Sequence, residues 1–292
     1  MDLQKTLREL NPEHDHFIGI DSDGCVFDTM EIKQKMFFIP NAIRIFNLHP
    51  IADKLKSTWE FVNLYSVHRG GNRFISIIKV FELLSNDRDI INSGVHLPDV
   101  QALKIWTERE NKLGNDSLRK FVEINQDAGL RKILLWSEKV NKDIEEDMGN
   151  VPPFPTAVKA LKFIYGKADI VIVSQTPYEA IEREWDENNL RKYVSLIAAQ
   201  EHGTKTEHLL FAAKGKYDDD KILMIGDAKG DLDASRNNNV LFYPVMPGHE
   251  DASWKRFISE GFPKFLNGSF KGKYENGLIR DFMNSLPERP AL

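Results

Sequence analysis

The chain has 292 residues, 41% hydrophobic and 28% charged, with a formal net charge of −5. Such a length predicts about two domains with room for sizeable cores. The acidic balance argues against a general nucleic-acid binder, which would be basic, and the lone cysteine, Cys25, excludes an internal disulfide framework. No apolar run is long enough to span a bilayer, and Met1-Asp2-Leu3-Gln4-Lys5 does not read as a signal peptide, so the expectation is a cytoplasmic protein with neither membrane nor nucleic acid as partner.

Leu3, Leu7 and Leu10 fall on one helical face, and Asn11-Pro12 closes that helix. Phe17-Ile18-Gly19-Ile20 then reads as a short buried strand. From about residue 30 to residue 150 strand-like runs vanish. Helices are predicted to begin near Ile32 (with a kink or break at Pro40) and over Phe74–Leu84, Leu103–Trp106, Leu118–Ile124 and Ile133–Val140. This predicts an all-helical insert of domain size, with Trp106 and Trp136 in its core. The stiff junction Val151-Pro152-Pro153-Phe154-Pro155 ends it.

Strand-like runs then return at 169–174, 194–199, 222–227 and 240–244, each preceded by a helical segment. Strands alternating with helices predict an α/β fold, a Rossmann-like parallel sheet with helices on both faces. The expected division is a core of residues 1–29 and 151–292, whose last part, 249–292, is a helical extension packed on it, and a helical cap of residues 30–150.

In an open parallel sheet, ligands bind beyond the carboxyl ends of the strands. Those ends carry Asp21 and Asp23, Ser174, the loop to Lys205, and Asp227. Buried carboxylates need partners, and bringing Asp21/Asp23 next to Asp227/Asp231 calls for a cation. Magnesium suits an all-oxygen site that also receives a phosphate. Each residue has a plain alternative: Asp21 and Asp23 as turn formers, Asp231 as a residue favoured by the helix dipole, Ser174 bonding its own backbone, Lys205 on the surface. Thr176-Pro177-Tyr178-Glu179 reads as a capping box, which would leave the Ser174 hydroxyl available to a phosphate. Lys205 is misplaced for the dipole of its own helix unless an anion lies beyond the helix end. In the insert, Arg69 and Arg73 flank Gly70-Gly71, where they would present cations to an anionic leaving group or form a solvated loop.

Taken together, these residues resemble the four motifs of the haloacid dehalogenase superfamily, in order. Asp21-Ser22-Asp23-Gly24-Cys25-Val26 is similar to D-x-D-G-x-[VT], Ser174 to the Ser/Thr that closes an apolar strand, Lys205 to the lysine near a helix start, and Gly226-Asp227-Ala228-Lys229-Gly230-Asp231 to G-D-x-x-x-D. The insert lies where members with a helical cap after the first strand carry theirs. The resemblance implies a phosphatase acting on a small phosphate ester through an aspartyl-phosphate. Asp21 would be the nucleophile and Asp23 the general acid and base. It implies Mg2+ held by the Asp21 and Asp227 carboxylates and the Asp23 main chain, with Asp231 close by, and phosphate held by Ser174, Gln175, Lys205 and the backbone at Gly24. Asp23 itself favours phosphate esters, since members that cleave carbon–halogen or carbon–phosphorus bonds lack it. A phosphomutase would use the same intermediate; a receiver domain or a silent phosphate-binding protein is a further alternative.

Overall fold

The computed structural model describes residues 3–290; residues 1, 2, 291 and 292, which the sequence assigns to the ends of the core, and the side chain of Leu3 lie outside the described residues. The chain forms two compact units, one of Met1–Met30 and Asn150–Pro287, the other of Glu31–Gly149 and Glu288–Leu292.

The first unit is built on five strands, β1 (Phe17–Ile20), β2 (Asp169–Val173), β3 (Leu196–Ala198), β4 (Ile222–Gly226) and β5 (Leu241–Pro244). They form one parallel sheet in the order β3-β2-β1-β4-β5. Nearly every strand residue is buried, as continuous apolar strands covered on both faces require. Ile20 pairs with Ile172 on one side and Ile225 on the other, so β1 is central and its end lies between the ends of β2 and β4. Gly19 interrupts the run for a packing reason. A Cβ there would come within 3.1 Å of Leu209 and Val173 and 3.2 Å of Met224, which lets the helix Lys205–Ala212 lie close on the sheet. Asp169, at the start of β2, is buried and accepts four bonds, from the backbone N–H of Glu13 and His14 (both 3.0 Å), the His14 ring (2.9 Å) and Tyr217 Oη (2.7 Å). These fasten the segment ahead of β1 to the sheet.

The C-terminal helices Glu250–Arg256, Phe262–Leu266 and Lys273–Ser285, with the segments between them, add Trp254, Phe257, Phe262, Phe265, Phe270 and Leu278 to the core cluster. Trp254 Nε1 donates to the Cys25 carbonyl at 2.9 Å, and Glu275 accepts from the Phe242 N–H at 3.0 Å.

The second unit is helical. Trp59, Trp106 and Trp136 are buried in its core with Phe74, Phe81 and Leu103, so both tryptophans singled out from the sequence are core residues. Beyond the five helices the sequence predicted, Ala52–Leu64 and Arg88–Ser93 are also present. Pro40 does not break its helix. The stretch Lys33–Phe38 is π-helical, the Ile39 N–H reaches back five residues to Gln34, and Ile39–Ile45 continues through the proline. The same device recurs at Pro263, where Phe257–Gly261 is π-helical and the Phe262 N–H reaches Phe257. Proline lacks an N–H and its ring crowds the carbonyl four residues back; a widened turn just ahead of it relieves both.

Among the described residues, no helix is long and apolar enough to cross a membrane.

Candidate active site

The sheet dictates where the first motif sits. The Asp21 N–H still bonds the Ile225 carbonyl at 2.9 Å, and then the chain folds into a tight loop. The Ser22 carbonyl accepts from the N–H groups of Cys25, Val26 and Phe27, all three fully buried. Gly24 takes φ +78°, the left-handed region where a side chain would be strained, while its N–H bonds the Phe27 carbonyl at 2.8 Å. The loop is pinned from outside by a residue the sequence did not single out: Trp185 Nε1 donates to the Ser22 hydroxyl at 3.0 Å. Burial, together with Asp227 and Asp21 nearby, pushes the Cys25 thiol well up, away from a reactive thiolate.

Asp21, Asp227 and Asp231 form a buried carboxylate cluster. One oxygen from each lies within 4.8 Å of the others, and their exposures are 4%, 0% and 0%. Asp21 Oδ1 accepts from the Ser22 N–H at 2.8 Å. Asp231 sits in the first turn of the helix Lys229–Asn237, where its Oδ2 accepts from the Ala228 N–H at 3.0 Å; it is a helix-start carboxylate and a member of the cluster at once. Gly226 makes that possible. A Cβ on it would lie 2.5 Å from the Asp231 Cβ and closer still to its carboxyl group.

Lys205 enters from the helix Lys205–Ala212, which is capped by Thr204 and Glu207 and so does not need its first residue for that purpose. Its Nζ lies 2.7 Å from Asp21 Oδ2 and 2.6 Å from Asp231 Oδ1. Burial opposes the lysine's charge, but Asp21 and Asp231 outweigh it and raise its pKa. Burial, with Asp231 and Asp227 adding to it, pushes Asp21 well above the usual carboxylate range against the pull of Lys205. Three acidic side chains thus share one ammonium in a buried cluster whose acidic donors are all oxygen. That donor set fits a hard divalent cation such as magnesium.

Asp23 stands apart from the carboxylate cluster. Its Oδ1 accepts from the Thr29 hydroxyl and its Oδ2 from the Thr176 hydroxyl at 2.9 Å. The expected capping box at Thr176 is therefore corrected. The helix begins at Tyr178, whose N–H is taken by Glu201 Oε2 at 3.0 Å, and the Thr176 hydroxyl turns to Asp23 instead. Ser174, just beyond β2 and buried, accepts from the Thr176 N–H at 3.2 Å, so it has the backbone bond of its plain alternative. Gln175 donates to the carbonyls of Ser174 and Gly203 at 3.2 and 2.9 Å, linking the loops after β2 and β3.

The two arginines of the insert have partners within the helical unit. Arg69 is buried and donates to the Leu64 carbonyl at 2.9 Å. Arg73 donates to the Ser137 carbonyl and hydroxyl and to Asn141, and stacks 4.9 Å over Phe38. Burial lowers its pKa to about 10. Both guanidiniums thus bond residues of the helical unit.

No family model and no curated protein matches the sequence. The fold does match solved structures, and it is that of the haloacid dehalogenase-like hydrolases. A haloacid dehalogenase-like family hydrolase from Xanthomonas campestris is 10% identical over 90% of this chain and 99% of its own, with a TM-score of 0.51. Two further matches are an L-2-haloacid dehalogenase from Xanthobacter autotrophicus (10% identity, 79% and 77% coverage, TM-score 0.40) and a protein described as a predicted phosphatase from Clostridium acetobutylicum (14% identity, 85% and 92% coverage, TM-score 0.44).

Proposed function

We propose that the protein is a magnesium-dependent phosphomonoesterase that hydrolyses a small phosphorylated metabolite through an aspartyl-phosphate on Asp21. The observation that carries this reading is the convergence of a buried Asp21/Asp227/Asp231 cluster with Lys205 at the strand ends, beside an Asp23 carboxyl outside that cluster and held by two hydroxyls. This separation supports a nucleophile and cation site at the cluster and proton transfer at Asp23.

Asp21 attacks phosphorus as the ester P–O bond breaks, and Asp23 gives its proton to the departing oxygen. Asp23 then takes a proton from the water that attacks phosphorus, which frees Asp21 and releases phosphate. Lys205 offsets charge on the phosphoryl oxygens, and Ser174 and Gln175 are the further candidates to bond them. Asp21, Asp227 and Asp231 would hold Mg2+, which when bound would offset the negative charge of the phosphoryl group. Asp23 favours phosphate esters over carbon–halogen bonds, because a dehalogenation has no leaving alcohol to protonate.

A panel of phosphorylated metabolites incubated with Mg2+ tests this. Phosphate release that disappears with chelator and in Asp21→Asn supports the reading. Release that persists in either rejects it, as does halide release from 2-haloacids with no phosphate-ester activity.

A further inference from the structure

We infer that Thr176 is a positioning residue that aims the Asp23 carboxyl at the leaving-group oxygen, an inference that rests on the phosphomonoesterase reading above. Its three polar groups each go to a different strand end. The N–H donates to Ser174 Oγ beyond β2 at 3.2 Å, the carbonyl accepts from the Gln200 N–H beyond β3 at 3.2 Å, and the hydroxyl donates to Asp23 Oδ2 beyond β1 at 2.9 Å. The helix that follows places no claim on that hydroxyl, since Glu201 takes the Tyr178 N–H.

The two hydroxyls on Asp23 differ in what they are attached to. Thr29 follows Asp23 by six residues and opens the stretch Thr29–Ile32, which leads the chain into the helical unit. Thr176 is fastened to the sheet edge. It therefore refers the direction of Asp23 to the frame that carries Ser174, and a β-branched side chain fixes that direction with few rotamers. A general acid has to lie within hydrogen-bond reach of the atom it protonates, and a misplacement of about 1 Å costs on the order of a hundredfold in rate.

Thr176 then matters in proportion to how much the leaving group needs its proton. In the first step the Asp21 oxygen–phosphorus bond forms, the ester P–O bond breaks, and the Asp23 proton goes to the departing oxygen. A nitrophenolate leaves with little help from that proton, while a phenolate of higher pKa needs more. The test measures kcat/KM, which reports this step, for 4-nitrophenyl phosphate and phenyl phosphate with Mg2+. Thr176→Val is expected to lose about tenfold more on phenyl phosphate than on 4-nitrophenyl phosphate, and Thr176→Ser to restore the wild-type ratio. A valine variant that loses both activities by one factor, or neither, overturns the inference while leaving the phosphomonoesterase reading intact. A serine variant that fails to restore the ratio also overturns it. Wild-type protein inactive on both esters and on the metabolite panel sinks that reading and this inference together.

Discussion

Lys205 Nζ lies 2.7 Å from Asp21 Oδ2, and this ion pair brings the end of β1 together with a helix that starts 184 residues later. The same ammonium reaches Asp231, so one cation holds two of the three buried carboxylates. Replacing it by an apolar chain leaves those charges uncompensated. Lys205→Met is expected to destabilise the metal-free protein by about 3–5 kcal/mol in urea unfolding, the usual cost of removing one partner from a buried pair. Unchanged stability would show that the carboxylates are neutral without it.

Asp21→Asn acts in the opposite direction on stability. Burial and two like charges already disfavour ionised Asp21, so a neutral isostere relieves the cluster while Lys205 keeps Asp231. The metal-free variant is expected to be as stable as the wild type or more so, by about 1 kcal/mol. Magnesium should raise the wild-type Tm more than that of the variant, since a ligand stabilises by its affinity for the folded state. Equal Tm shifts in the two proteins would remove Asp21 from the cation site.

Gly226→Ala tests the close approach behind Asp231. The new methyl occupies space that the Asp231 side chain holds, so either the aspartate or the end of β4 must move. The expected cost is about 1–3 kcal/mol of stability by overpacking and on the order of a hundredfold in activity through displacement of the cluster. Thermal denaturation and a phosphate-release assay check both.

Asp169 supplies a pH dependence far from the cluster. Burial alone would raise its pKa, but Tyr217, His14 and the Glu13 and His14 N–H groups outweigh it and hold the carboxyl below its ordinary value. A carboxylate depressed in the folded state adds stability above its unfolded pKa, about 3.9, and that stability is lost as pH falls through the lower folded value. Asp169→Asn is expected to destabilise by about 1–3 kcal/mol at pH 7 and to flatten the acid limb of the stability profile below about pH 4. An unchanged acid limb would assign the loss to other carboxylates.

The sequence carried the sheet and most of the cluster because both are local patterns. Buried strands are continuous apolar runs, and Gly226-Asp227-x-x-x-Asp231 spans a strand end and the following helix turn within one short stretch. Lys205 was legible as a charge that its own helix disfavours. The helix Ala52–Leu64 is likewise a local pattern, with Leu55, Trp59 and Val62 on one face. Other features depend on partners distant in the chain. Thr176 ahead of Pro177 has the local form of a cap, yet its hydroxyl meets Asp23, 153 positions away. Ser22 occupies the variable place of its motif and is bonded by an indole 163 positions on. Arg73 beside two glycines reads as exposed until Ser137 and Asn141 supply acceptors for it.

The central claim is that Asp21 is the nucleophile. Its most direct test is mass spectrometry of acid-quenched protein after brief incubation with Mg2+ and a hydrolysed phosphomonoester. A phosphoryl adduct on Asp21 in the wild type, absent from Asp21→Asn, is the predicted result. Turnover with no adduct at any quench time, or an adduct on another residue, would contradict it.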